Sequence, residues 1–498
     1  MRCYTSVLTA VILLITVNGF SQENIFWSRD FWKTDPSPEV IDARIKEGNA
    51  PGEANSYNFD GVVYAMLEDA SNRSVIHLIS KEGNDVNKLT HDGRTYIFWA
   101  AYRGNAELME YLLDHGARTD VVDDHGMSIL NFAAGAGVKN TAVYELCLEH
   151  GANLEKDLSA DGANALLLAA PKDDDLVLTD YFVSKGLDIN GTDHNGNGIF
   201  NYVAKAGNIA LMDKLWEKGI KGDDRAFLFA ASGTRGVTNG IEVYHYLESR
   251  GLSPKVADKE GFTPLHIAAA RNRDVKVIRY LLDHGLDTDT ADHKGNTPFM
   301  NAAGGNSLEV INLLSENTED INRANKKGQT ALSLAVQGNT PEAVDFLIKK
   351  GADIRVADAG GNTLVSYLVN SLGGRGGNRA KEVFEIKLEL LEKEGLDLAK
   401  PQGNGDTWYH LAVDKNSVEL LKLGRKTGQD INTKNKEGNT PLLLAAMRAK
   451  DDGILKALLE LGADKTVITD FGESAYDLAS ENEILKKNKV SLDFLKQM

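Results

Sequence analysis

The residues best able to do chemistry fall into three groups. Asp193-His-Asn195-Gly-Asn197-Gly198 follows the Asp-x-Asn-x-Asn-Gly opening of a calcium loop. Such a loop ends in a bidentate glutamate at its twelfth position. Ala204 stands there instead, so calcium is not expected. Gly373-Gly-Arg-Gly-Gly-Asn378 could offer free amides to a phosphate. It lacks the Gly-Lys-Ser/Thr ending of a nucleotide loop and follows a helical pattern, so it reads as an insert. His91, His125, His194 and His293 each sit one or two residues before a glycine in a polar turn. Two histidines on neighbouring turns without a third ligand make a weak metal site. No Gly-x-Ser-x-Gly and no His-Glu-x-x-His occur, and neither cysteine has an obvious catalytic partner. The expectation is a protein that is not an enzyme and uses no metal or cofactor.

The start of the chain implies export. Arg2 precedes an apolar run from Val7 to Val17, and Gly19-Phe20-Ser21 offers small residues for cleavage. Residues 1–22 therefore read as a signal peptide, too short for a membrane span. A periplasmic or extracellular location follows as an expectation. Cys147 would then be the one remaining cysteine, at a helix core position, which leaves no internal disulfide. The formal charge of −17 argues against nucleic acid and anionic membranes as partners. It suits a basic protein partner or plain solubility.

What must position these residues is a repeat. In Asp258-Lys-Glu-Gly-Phe-Thr-Pro-Leu-His-Ile-Ala-Ala, Thr263 can cap a helix and Pro264 suits its first position. Val275, Val277, Ile278, Leu281 and Leu282 then follow at helical spacing, and Gly285 ends the second helix. Two short helices cannot bury both faces alone, so stacked copies are required. Glycines at 61, 93, 126, 162, 196, 261, 295, 328, 361, 405, 438 and 472 mark them, mostly 32 to 36 residues apart. With one degenerate unit at 219–257, in which Ala226-Phe227-Leu228 keeps the helix pattern but the glycine turn is lost, they make 13.

A period near 33 with Thr-Pro-Leu-His-x-Ala resembles the ankyrin repeat family, over nearly all of the chain after residue 36. The resemblance implies an all-α solenoid of helix pairs joined by short β-hairpins or loops. It also implies that His266 and His410 hydrogen-bond adjoining loops. The expected layout is an N-terminal cap at 23–60, repeats at 61–257 and 258–469 with an insert at 371–379, and a capping repeat at 470–498.

Proteins of this family bind other proteins on a concave face and at hairpin tips. If tip residues point away from the stack, Phe59, His91, Arg94, His125, Met127, His194, Lys259, Phe262, His293, Lys326 and Lys327 are the candidate contacts. The reading is an exported, monomeric scaffold for one or more proteins. The alternatives are a secreted effector acting on host proteins, or a ligand or metal module using the tip histidines.

Overall fold

The computed structural model describes residues 23–373 and 377–496. Residues 1–22, where the signal peptide is expected, residues 374–376 of the glycine-rich insert and residues 497–498 lie outside the described residues. Two compact units result, the first ending at Ile199 and the second beginning at Phe200.

The first unit opens with a 3-10 turn at Ile25–Trp27 and the helices Arg29–Trp32 and Pro38–Lys46. Phe26 and Trp32 are fully buried and stack at 5.9 Å, and the Trp32 indole donates to the Phe26 carbonyl at 2.8 Å. This aromatic pair closes over the first helix pair, Gly61–Leu67 and Asn72–Ile79. Gly61 is where the two meet, because a Cβ there would lie 2.8 Å from that of Phe26. Gly61 is therefore not a turn glycine, contrary to the register read from the sequence. The left-handed residue of that tip is Asn58, with φ of 59°. Further pairs follow at Tyr96–Tyr102 with Ala106–Asp114, Ile129–Ala136 with Ala142–Glu149, and Ala165–Ala169 with Val177–Ser184.

The second unit repeats the theme, most regularly in Pro264–Arg271 with Val275–Asp283, Pro298–Ala303 with Leu308–Ser315, and Ala331–Gly338 with Pro341–Lys349. Thr263 Oγ1 accepts from the His266 amide while His266 Nδ1 accepts from the Thr263 amide, a reciprocal cap. Leu265, Ala268, Ala269, Val277, Ile278 and Leu281 are fully buried. The apolar stripe is narrower than expected: Val275 opens the helix exposed, and Leu282, a further step round the axis from Leu281, is half-buried. Where the glycine turn is lost, Asp223 pairs with Arg225 just before the helix Ala226–Ser232. Among the described residues the hairpins hold only single bridges, such as Val122 with Ser128 and Ala324 with Thr330, so the fold is all-α.

A polar ladder runs through the second unit where first helices end. Asn272 Nδ2 donates to the Asn239 carbonyl at 2.9 Å. Asn306 Nδ2 donates to Ala269 and Asn272 at 2.7 and 2.9 Å, and Asn339 Nδ2 to Ala303 and Asn306 at 3.0 Å each. The carbonyl next in line, Val336, accepts from the ammonium of Lys387 at 2.9 Å. These asparagines are buried, so the carbonyls they serve have no water to fall back on.

Replacing Asn306 by alanine should therefore cost about 1–3 kcal/mol through orphaned carbonyls. Leu281→Ala should cost about 2–5 kcal/mol through a cavity. Hydrogen exchange should show both losses centred on 258–340, because each repeat touches only its neighbours. Unchanged protection there would contradict the ladder and the core assignment alike.

Candidate functional site

The hairpin tips of the central repeats are built the same way. Asp258 Oδ1 accepts from the amides of Glu260 and Phe262 at 3.0 and 2.8 Å. Asp292 Oδ1 accepts from Lys294 and Asn296 at 2.8 Å each, and Asn325 Oδ1 from Lys327 and Gln329 at 2.9 and 3.0 Å. A left-handed glycine follows: Gly261, Gly295 and Gly328 have φ of 85°, 83° and 75°. Tips also hold each other, since the His293 amide donates to Glu260 O and the Lys326 amide to Lys294 O, both at 2.9 Å. Asp193 belongs to this scheme rather than to a calcium loop. Its Oδ1 accepts from the Asn195 and Asn197 amides at 2.8 and 2.9 Å, and its Oδ2 from the Asn197 side chain at 2.8 Å.

The residue after the left-handed position points back toward the stack, not away from it. Phe59, Arg94, Met127 and Phe262 all occupy that position, and none is exposed. Phe59 stacks on His91 at 4.2 Å and approaches Tyr64 and Trp99 at 5.7 and 5.8 Å. Phe262 lies edge-on to the buried His266 at 5.9 Å. Arg94 is the clearest correction, being 8% exposed. Its Nε and Nη2 donate to Asp123 Oδ2 at 2.9 and 2.7 Å, and its guanidinium lies 4.3 Å from the centre of the Phe132 ring. A cation between a buried carboxylate and a ring face fastens one hairpin to the next. The other candidates do face outward: His125, His194, Lys259, His293, Lys326 and Lys327 are exposed, and His91 is half-buried.

In the first unit Asp92 gathers the tip histidines. Its Oδ2 lies 3.4 Å from His91 Nε2, 3.3 Å from His125 Nε2 and 3.0 Å from Arg94 Nη1. Burial alone would raise the Asp92 carboxyl, but His125, His91 and Arg94 together hold it below its usual range. The guanidinium on that oxygen makes this an ion-pair cluster. No group of three or more metal-ligating side chains suited to an ion occurs among the described residues.

The fourth position of the first helices escaped the sequence reading. Tyr64, Trp99 and Phe132 occupy it in consecutive repeats, with Tyr102 beside them. Trp99 meets Phe132 at 5.9 Å and Tyr102 at 6.3 Å, and Tyr102 stacks on Phe132 at 5.4 Å. Tyr64, Tyr102 and Phe132 remain half-exposed, so a continuous aromatic run faces outward on the first-helix side. Recurrence at N-cap plus four was the available signal. Cys147 is inert by contrast: burial pushes its thiol up to about 12.

These helix pairs, tips and caps define a class of fold, a solenoid of ankyrin repeats. The family model described as ankyrin repeats (3 copies) matches residues 63–157, 227–325 and 285–358, and a single ankyrin repeat matches 437–470. These matches together cover just over half of the chain, and the protein belongs to the ankyrin-repeat family. It is 29% identical over 146 residues to an ankyrin repeat protein of fowlpox virus (strain NVSL), across 29% of this chain and 20% of that one. It is 34% identical over 79 residues to protein phosphatase 1 regulatory subunit 12A of Mus musculus, across 16% of this chain and 8% of that one. The chain thus spans a small part of each curated relative's length. The crystal structure of the Bcl-3 ankyrin repeat domain aligns with 52% of this chain and 97% of its own at 21% identity and a TM-score of 0.33. Ankyrin repeats generally mediate protein–protein interaction, and among the described residues no helix is long and apolar enough to cross a membrane.

His266 and His410 are fully buried; their Nε2 donates to Asn296 O at 3.2 Å and Asn439 O at 2.9 Å. Burial lowers both from the usual histidine value, so both fold neutral. Their contribution is complete above the unfolded value of about 6.5 and is lost as pH falls from there toward the lower folded values. His284 has the opposite sign: burial opposes its charge, but Glu248 at 2.8 Å and Tyr280 O at 2.7 Å outweigh it and raise it. Its contribution is complete below about 6.5 and lost as pH rises through the folded value. Thermal melts from pH 7.5 to 5 should show acid destabilisation that is shallower in His266→Gln/His410→Gln and steeper in His284→Gln. Parallel slopes in all three proteins would refute the assignment.

Proposed function

We propose that this chain is an exported, non-catalytic scaffold that binds one or more proteins through its first-helix face and hairpin tips. The observation that carries the reading is the half-exposed set Tyr64, Tyr102 and Phe132, with the buried Trp99 packed against the last two. Large rings left partly open to solvent in register are what a protein interface anchors on, and their further burial by a partner supplies binding energy. Its likeness to a phosphatase regulatory subunit, a protein named for acting on another protein, supports a binding role. Export rests on Arg2 and the apolar run Val7–Val17.

The test begins with affinity purification from the native envelope, followed by titration of the recovered partner. Tyr102→Ala should weaken the complex by about 2 kcal/mol or more with little change in melting temperature. Phe262→Ala is a poorer probe, since that ring packs on His266. Unaltered affinity in Tyr102→Ala would remove the aromatic run from the interface, and cytoplasmic retention on fractionation would refute export.

A further inference from the structure

We propose that three successive tips of the second unit form a cationic ridge that recognises an acidic protein segment; this rests on the protein-binding reading above and names the partner's chemistry. The ridge carries Lys259, His293, Lys294, Lys326 and Lys327, all exposed. Lys294, absent from the sequence-based candidates, sits in the same tip position as Lys327.

Three observations converge. First, three of the lysines are unpaired. Lys259 stands 4.0 Å from Glu260, and no carboxylate among the described residues pairs with Lys294, Lys326 or Lys327. Several cations elsewhere find partners across repeats, as Arg103 does with Asp69, Lys139 with Asp175 and Lys185 with Glu145. In a chain with 72 acidic against 55 basic residues, three neighbouring lysines without a counter-charge call for one from outside. Second, the ridge is rigid. The amides of His293, Lys326 and Ala359 donate to Glu260, Lys294 and Lys327 at 2.9, 2.9 and 2.8 Å, so the lysines ride on a linked backbone. A pre-ordered surface loses less entropy on binding. Third, the ridge has ends. The next tip is Ala359-Gly360, without charge, and on the other side the repeat at 219–257 has no glycine tip.

Repeats stacked about 8–10 Å apart put roughly 20 Å between the outer tips. That matches about six residues of extended peptide at about 3.3 Å each. A nucleic acid fits less well. Its phosphates recur about every 1.7 Å of duplex, and the rest of a chain of charge −17 would repel a polyanion extending past the ridge. A short acidic stretch of a protein makes the favourable contacts without that penalty.

The test uses the full chain and a fluorescein-labelled decaglutamate peptide in fluorescence anisotropy, at low and at near-physiological salt. Wild type should bind saturably and more weakly as salt rises. Lys294→Glu/Lys326→Glu/Lys327→Glu should bind at least about tenfold more weakly, the product of three exposed ion pairs. The Lys→Gln triple variant, checked for an unchanged melting temperature, guards against a folding defect and should also lose affinity. No saturable binding by wild type, or binding by both triple variants as tight as that of wild type, would overturn the ridge. Tighter binding of a ten-nucleotide thymidine strand than of the peptide would overturn the assignment to a protein partner. None of these results bears on the Tyr102→Ala titration, which tests the scaffold reading in the other unit.

Discussion

The carbonyls at the end of each first helix have no partner within their own helix, and stacking removes the water that could have satisfied them. The second unit answers this with a side chain from the following repeat: Asn239, Asn272, Asn306, Asn339 and Asn482 each donate to carbonyls one repeat back. Apolar contacts such as Leu281 in the core tolerate small displacements, but a buried amide between two carbonyls does not. The ladder therefore fixes the offset between neighbours. Every tip inherits that offset, and with it the spacing of the lysines and aromatic rings described above.

Where the insert at 371–379 lengthens the connection, a lysine serves the carbonyl row. The second helix, Gly377–Lys393, sends Lys387 inward to the same carbonyl row. An ammonium in that place is costly to desolvate, and burial pushes it down to about 8. A donor is still preferred to none, which measures how strictly the row must be satisfied.

The repeat period, the Thr263 cap, the His266 and His410 bonds and the glycine turns were legible, because each depends on residues close together in sequence. Gly61 misled because a glycine admits two uses, a left-handed turn or a close approach, and only the packed Phe26 shows which applies. Arg94 misled for a related reason. Its position relative to Gly93 was read correctly, but its direction is set by Asp123 in the next repeat. The aromatic run and the unpaired lysines depend on what lies beside them across repeats, so they emerged only when neighbouring turns could be compared side by side.

The two units use the same tip backbone for different surfaces. In the first, Asp92 and Arg94 neutralise one another and the histidines lean on them, so the outward chemistry moves to the rings on the helices. In the second, Lys294 and Lys327 stand where Asp92 does, directly before the tip glycine, while Asp258, Asp292 and Asn325 spend their oxygens on tip amides as Asp123 does. A net charge of −17 is then a poor guide to either surface. Local charge at a rigid tip, fixed within about a Debye length of what it meets, outweighs the distant and screened remainder. The tips can take a sign opposite to that of the whole chain without disturbing the stack beneath them.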